Sequence, residues 1–202
     1  FKSASITSDG SPADEMRAAL LAGRHSNLVS VLGRLVDPNG PPGIILELVP
    51  STYTVLGGSP SFDSCTRDVY APDARLGTAS ARVLLRGIAA AAQHCHAVGI
   101  VHADLYAHNI LLDTEADGAG HALLGDFGAA TIYGRAHPQA ASIERLEVLA
   151  FGHLLEDVKG LLVEGDDLPF AQGIARLHQR CVVDEVGLRP TFDEVVETLG
   201  GL

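Results

Sequence analysis

His102-Ala103-Asp104-Leu105-Tyr106-Ala107-His108-Asn109-Ile110-Leu111-Leu112, followed by Gly125-Asp126-Phe127-Gly128, decides the reading of this chain. An Asp is followed five residues later by an Asn, and seventeen beyond that by a second Asp, around two short apolar runs. One carboxylate that accepts a hydroxyl proton, with an amide and a second carboxylate that hold a hard cation, is the equipment of phosphoryl transfer. Asp104 is the candidate base, because a hydroxyl is a poor nucleophile until it is oriented and relieved of its proton. Asn109 and Asp126 are the candidate Mg²⁺ ligands, both offering oxygen. Phe127 and His102 read as packing residues behind them.

Composition narrows the alternatives. With 202 residues the chain fits one domain, or one large lobe with a small one attached. A hydrophobic content of 47% and a mean hydropathy of +0.20 suffice for a core, and ten aromatics with no Trp make that core aliphatic. A net charge of −11 argues against nucleic acid and anionic membrane surfaces as partners. Cys65, Cys95 and Cys181 lie far apart, so neither a disulfide framework nor a zinc site is expected, and a reducing, cytoplasmic setting is favoured. No apolar run approaches membrane-spanning length.

Outward from the motif, the pattern predicts an α+β chain. Ser11-Pro12 with Asp14 and Glu15 starts a helix that runs to about Ala22, with Met16, Ala19 and Leu20 on one face. Leu28–Val36 and Ile44–Val49 read as paired strands around a turn cluster at 37–43. Pro50–Leu76 reads as a surface crossing, and Thr78–Ala97 as a buried helix. Short strands are expected at 110–112 and 122–124, and helices at 144–162, 169–181 and 191–199.

This order and these motifs resemble a protein kinase domain. Arg24-His25-Ser26-Asn27-Leu28-Val29, Leu46-Glu47-Leu48-Val49, Leu146–Gly152 and Leu188–Glu194 resemble, in turn, the segment after the regulatory helix, the hinge, the start of the central helix and the Arg-Pro-Thr-Phe segment. The resemblance implies a kinase-like fold with a partial N-lobe and hinge over 1–49 (a helix plus two strands) and a mainly α-helical C-lobe over 50–202. It implies ATP and Mg²⁺ as cofactors and a protein substrate. Leu46, Glu47 and Val49 would line the adenine site, Leu111 would form its floor, and Glu15 would pair with the phosphate-anchoring Lys. That Lys is expected just before residue 1, with Lys2 as the other candidate. The chain starts at Phe1 and reads as an incomplete domain without a glycine-rich loop.

Departures from the family pattern carry their own expectations. Ala103 replaces the Arg that pairs with a phosphorylated loop, so that control should be missing. Tyr106 replaces a Lys two residues after the base, and His108 becomes a candidate phosphate contact. Twenty residues separate Asp126 from Glu147 with no Ala-Pro-Glu, so the substrate loop is short, and Glu144 stands as a substitute partner for Arg189. Tyr-Ala-His-Asn, with Ser64-Cys65-Thr66-Arg67-Asp68, is similar to a divergent plant and bacterial kinase group. Protein kinase, Ser/Thr-directed, is the leading reading. A small-molecule phosphotransferase of the aminoglycoside or choline kinase type and a non-catalytic scaffold are the alternatives.

Overall fold

The computed structural model describes residues 11–36, 43–62, 68–113, 120–163, 165 and 167–202. Lys2, Cys65 and most of the turn cluster at 37–43 lie outside these residues. The order is α1 (Pro12–Ala22), β1 (Val31–Leu35), β2 (Gly43–Leu46), β3 (Tyr53–Val55), α2 (Thr78–Ala97) and β4 (Ile100–Val101). A 3₁₀ turn at Ala107–Asn109 leads to β5 (Ile110–Asp113), β6 (His121–Leu124) and β7 (Thr131–Ile132). Helices α3 (Ala140–Leu161), α4 (Leu168–Cys181) and α5 (Phe192–Gly200) complete this α+β fold.

Local chemistry sets the helix starts. Ser11 Oγ accepts from the Ala13 N–H at 3.2 Å, Pro12 opens α1, and Gly23 ends it at φ +70°. Asp167 Oδ1 accepts from Phe170 N–H at 2.9 Å at the head of α4. Thr191 and Glu194 form a reciprocal capping box on α5.

Helix α2 is the axis of the core. Leu84, Leu85, Ile88, Ala89, Ala91 and Ala92 are all fully buried, and α5, β6, β4 and α3 pack around them. Its run of alanines lets these neighbours approach closely. Arg82 ties α2 to α4, with its guanidinium 4.3 Å from the Phe170 ring centre and a 2.7 Å ion pair to Asp167.

Among the described residues the sheets are small: β1–β2, β3–β5–β6 and β4–β7, all with antiparallel neighbours. The expected strand at 28–36 shortens to Val31–Leu35 because its start pairs elsewhere. Leu28 bridges Leu124, with Val29 N–H donating to Leu124 O at 3.0 Å and Leu124 N–H to Asn27 O at 2.9 Å. The second strand ends at Leu46, where the Glu47 N–H turns to Ser30 O at 2.8 Å. The surface crossing contains a strand, β3, because Tyr53–Val55 finds a free edge of β5. On α1 the buried residues are Ala18, Ala19 and Ala22, while Leu20 is 43% exposed, which corrects the expected Met16-Ala19-Leu20 face. The helix lies against β2, and His94 of α2 reaches Ala22 O at 2.7 Å, so only small side chains fit between.

Candidate functional site

The paired strands β5 and β6 bring the two halves of the motif together. Ile110 pairs with Leu124, and the Gly125 N–H donates to Asn109 O at 3.0 Å, so Asn109 and Asp126 flank one end of this ladder. Asn109 Nδ2 donates to Asp104 Oδ2 at 2.7 Å and to Asp104 O at 3.0 Å. With its NH₂ group so engaged, the Asn109 carbonyl oxygen is the atom left to meet a cation. Asp126 is exposed at φ +57°, and its Oδ1 accepts from the Gly128 N–H at 3.0 Å. The donor set is one amide oxygen and one carboxylate. This suits Mg²⁺, which takes one or two protein oxygens and leaves its other positions to water and phosphate.

Asp104 itself is half-exposed, its side chain 37% accessible. His108 Nε2 stands 3.6 Å from Asp104 Oδ2, and His108 Nδ1 lies 2.8 Å from Asp68 Oδ1. Tyr106 stacks on the His108 ring with centroids 5.7 Å apart. Behind the site His102 is fully buried, its Nε2 2.8 Å from Gly125 O and its ring 5.1 Å from Phe127, which is itself buried.

Backbone strain surrounds this chemistry. Ala103 and Asp126 are the non-glycine residues with positive φ among the described residues, at +63° and +57°. Such conformers cost on the order of 1 kcal/mol or more and persist only where neighbours impose them. At Ala103 the neighbour is Glu147, whose Oε1 accepts the Ala103 N–H at 2.8 Å. Glu147 is 4% exposed, and its Oε2 lies 2.7 Å from Nε2 of His96, another buried residue. Glu147 was legible as a position in the central helix; its pairing with His96 was not, because nothing local in the sequence joins α2 to α3.

Of the expected adenine-site residues, Leu46, Glu47 and Val49 are neighbours in sequence but differ in setting. Leu46 is 48% exposed at the end of β2, Glu47 is exposed, and Val49 is half-buried. Leu111 sits on β5 directly between Val55 of β3 and Leu123 of β6. Directly paired residues share a sheet face, so these three form an apolar row opposite the buried Ile110 and Leu112. Glu15 is half-buried on α1, and the candidate partner Lys2 lies outside the described residues.

Glu144 does not pair with Arg189: it accepts from Tyr133 Oη at 2.5 Å. Arg189 instead donates to the carbonyls of Val183 and Arg145 at 2.9 and 3.3 Å, because its buried guanidinium is fully wrapped by the 182–189 turn and α3. Burial, with the Glu144 carboxylate beside it, raises the Tyr133 phenol above its ordinary range. Cys95 and Cys181 are free and buried, and burial pushes both thiols up to about 12. Among the described residues no cluster of His, Cys, Asp and Glu has metal-binding form, and no helix is long and apolar enough to cross a membrane.

One face of α3 borders open space. Val101, Leu105, Tyr106, Ile143, Leu146 and Ala150 line a cavity of about 410 Å³ there, next to Ala103. Asn109 and Asp126 thus lie just beyond one end of the β5–β6 ladder, with Asp104 tied to Asn109 and His102 buried behind them. The protein kinase domain family model matches residues 13–146, and the chain belongs to that family. The characteristic activity of the family is phosphoryl transfer.

Proposed function

We propose that this domain transfers the γ-phosphoryl group of ATP to a protein hydroxyl, of Ser or Thr, with Mg²⁺. In this reading residues 1–49 act as a partial N-lobe and hinge, and 50–202 as the C-lobe. Asp104 takes the hydroxyl proton as the acceptor oxygen bonds to the γ-phosphorus and the bond from that phosphorus to the β–γ bridging oxygen breaks, ADP leaving. Asn109 and Asp126 would hold Mg²⁺, which supplies charge neutralisation at the phosphates. Leu46, Glu47 and Val49 would border the base, with Leu111 beneath it, and Glu15 would steady the phosphate-anchoring Lys. The observation that carries the reading is the bond between Asn109 Nδ2 and Asp104 Oδ2, which fixes the candidate base against a candidate metal ligand.

Phosphate transfer from labelled ATP, measured on the full-length protein, tests it. Asp126→Ala should abolish transfer, and Asp104→Asn should lower it roughly 10²- to 10⁴-fold. Full activity in Asp126→Ala refutes the assignment. Offering protein hydroxyls and small alcohols side by side separates a protein kinase from a small-molecule phosphotransferase. A scaffold reading is favoured by Tyr106, which stacks on His108 where the family has a Lys. Saturable stabilisation by Mg-ATP together with turnover eliminates it, since a ligand that binds the native state raises its stability.

A further inference from the structure

We propose that Asp68 is a positioning residue for the candidate base Asp104, acting through the Ala107–Asn109 turn and the His108 ring; this rests on the phosphotransfer reading above. Asp68 lies 36 positions before Asp104. Its side chain is 2% exposed, yet it is a carboxylate, so its burial demands partners. It has three. Oδ2 accepts the Ala107 N–H at 2.9 Å, while Oδ1 accepts the His108 N–H at 3.1 Å and bonds the His108 Nδ1 at 2.8 Å.

The first two bonds satisfy donors that a helical turn leaves open at its start, so Asp68 caps the 3₁₀ turn from a distant segment. That turn carries Asn109, whose amide holds Asp104. The third bond aims the imidazole. With Nδ1 on Asp68 and Tyr106 stacked on its face, the Nε2 edge is turned to Asp104 Oδ2 at 3.6 Å. His108, expected at a phosphate, faces a carboxylate on each nitrogen, and ordering the loop accounts for both distances.

The clamp is itself anchored. Val69 and Gly58 exchange two backbone hydrogen bonds of 2.8 Å, which fixes the residue after Asp68. The Gly57 N–H donates to Ala107 O at 3.3 Å from the same side. A Cβ at Gly57 would stand 3.0 Å from the Ala107 Cβ, so glycine is what allows this approach. The candidate base is therefore held by two routes, both ending on Asp68.

A displacement of about 1 Å at a reacting group can cost on the order of 100-fold in rate. Steady-state kinetics of the full-length protein should show kcat falling about 100-fold in Asp68→Ala, with KM for ATP within about two-fold. Asp68→Asn keeps one acceptor oxygen and should recover part of that loss, and it also covers the chance that the alanine variant fails to fold. His108→Ala should add little once Asp68 is alanine, since coupled residues are not additive. Rates are taken well below each variant's unfolding midpoint, so a purely structural role leaves kcat per folded molecule unchanged. Unchanged kcat in folded Asp68→Asn and Asp68→Ala, or fully additive losses with His108→Ala, overturns the proposal while leaving phosphotransfer intact. A wild-type chain with no transfer at all overturns the phosphotransfer reading and this proposal with it.

Discussion

Replacing Glu147 by alanine should destabilise the protein by about 3 kcal/mol, and the sum can be worked from its two partners. A hydrogen bond to a charged group contributes about 1.5–3 kcal/mol, and an orphaned buried donor costs about 1–3 kcal/mol. The Ala103 N–H borders the open cavity of about 410 Å³ and can regain water, so its loss is the smaller part. His96 is more enclosed: it is 6% exposed and packed edge-on against Phe192 at 5.1 Å, so the lost partner of its Nε2 is the larger part. For a chain of this length the change amounts to a fall in Tm of roughly 6–12 °C. Glu147→Gln should cost less, about 1 kcal/mol, because the amide oxygen still serves Ala103 while the NH₂ group asks His96 for its other tautomer. Urea unfolding of the wild type, both variants, His96→Gln alone and the two double variants supplies the numbers and the coupling. An alanine variant within 1 kcal/mol of the wild type, or a glutamine variant as damaged as the alanine one, refutes the reasoning.

Other outcomes follow from packing and from charge. Gly152→Ala should destabilise by about 1–3 kcal/mol, since its Cβ would lie 2.8 Å from both the Cys181 Cβ and the Val182 Cγ1 where α3 meets α4; an unchanged urea midpoint counts against that packing. His25, half-buried and stacked on His94 at 5.0 Å, has its pKa lowered below the ordinary 6.5, first by burial and then by the His94 charge. The unfolded chain therefore takes this proton more readily, so the contribution is present above pH 6.5 and is lost as pH falls through that value toward the lowered one. Stability measured at about pH 7.5 and pH 5.5 should drop less in His25→Gln than in the wild type; equal drops refute the assignment.

What was legible in the sequence is what local chemistry specifies. Ser11-Pro12, the alanine-rich run at 78–97 and the Thr191–Glu194 box name their helices, because caps and apolar spacing act within a few residues. The candidate triplet Asp104, Asn109 and Asp126 could be proposed for the same reason: two of its members are tied by bonds across five positions, and the third follows a strand that pairs back. Long-range partners were not. β3 was hidden because a three-residue strand owes its existence to the edge of β5 rather than to its own pattern. Glu144 was matched to Arg189 by charge alone, yet the fold satisfies that guanidinium with carbonyls and gives Glu144 to Tyr133. Asp68 and Glu147 share this logic. Each is a buried carboxylate that takes backbone N–H groups of the 103–108 loop, from opposite ends, together with a histidine. A loop held at two strained or unpaired points by two distant carboxylates is costly to assemble and stiff once assembled. In the proposed phosphotransfer reading, stiffness at the candidate base serves a weak nucleophile, and the two carboxylates would supply it by binding the loop directly.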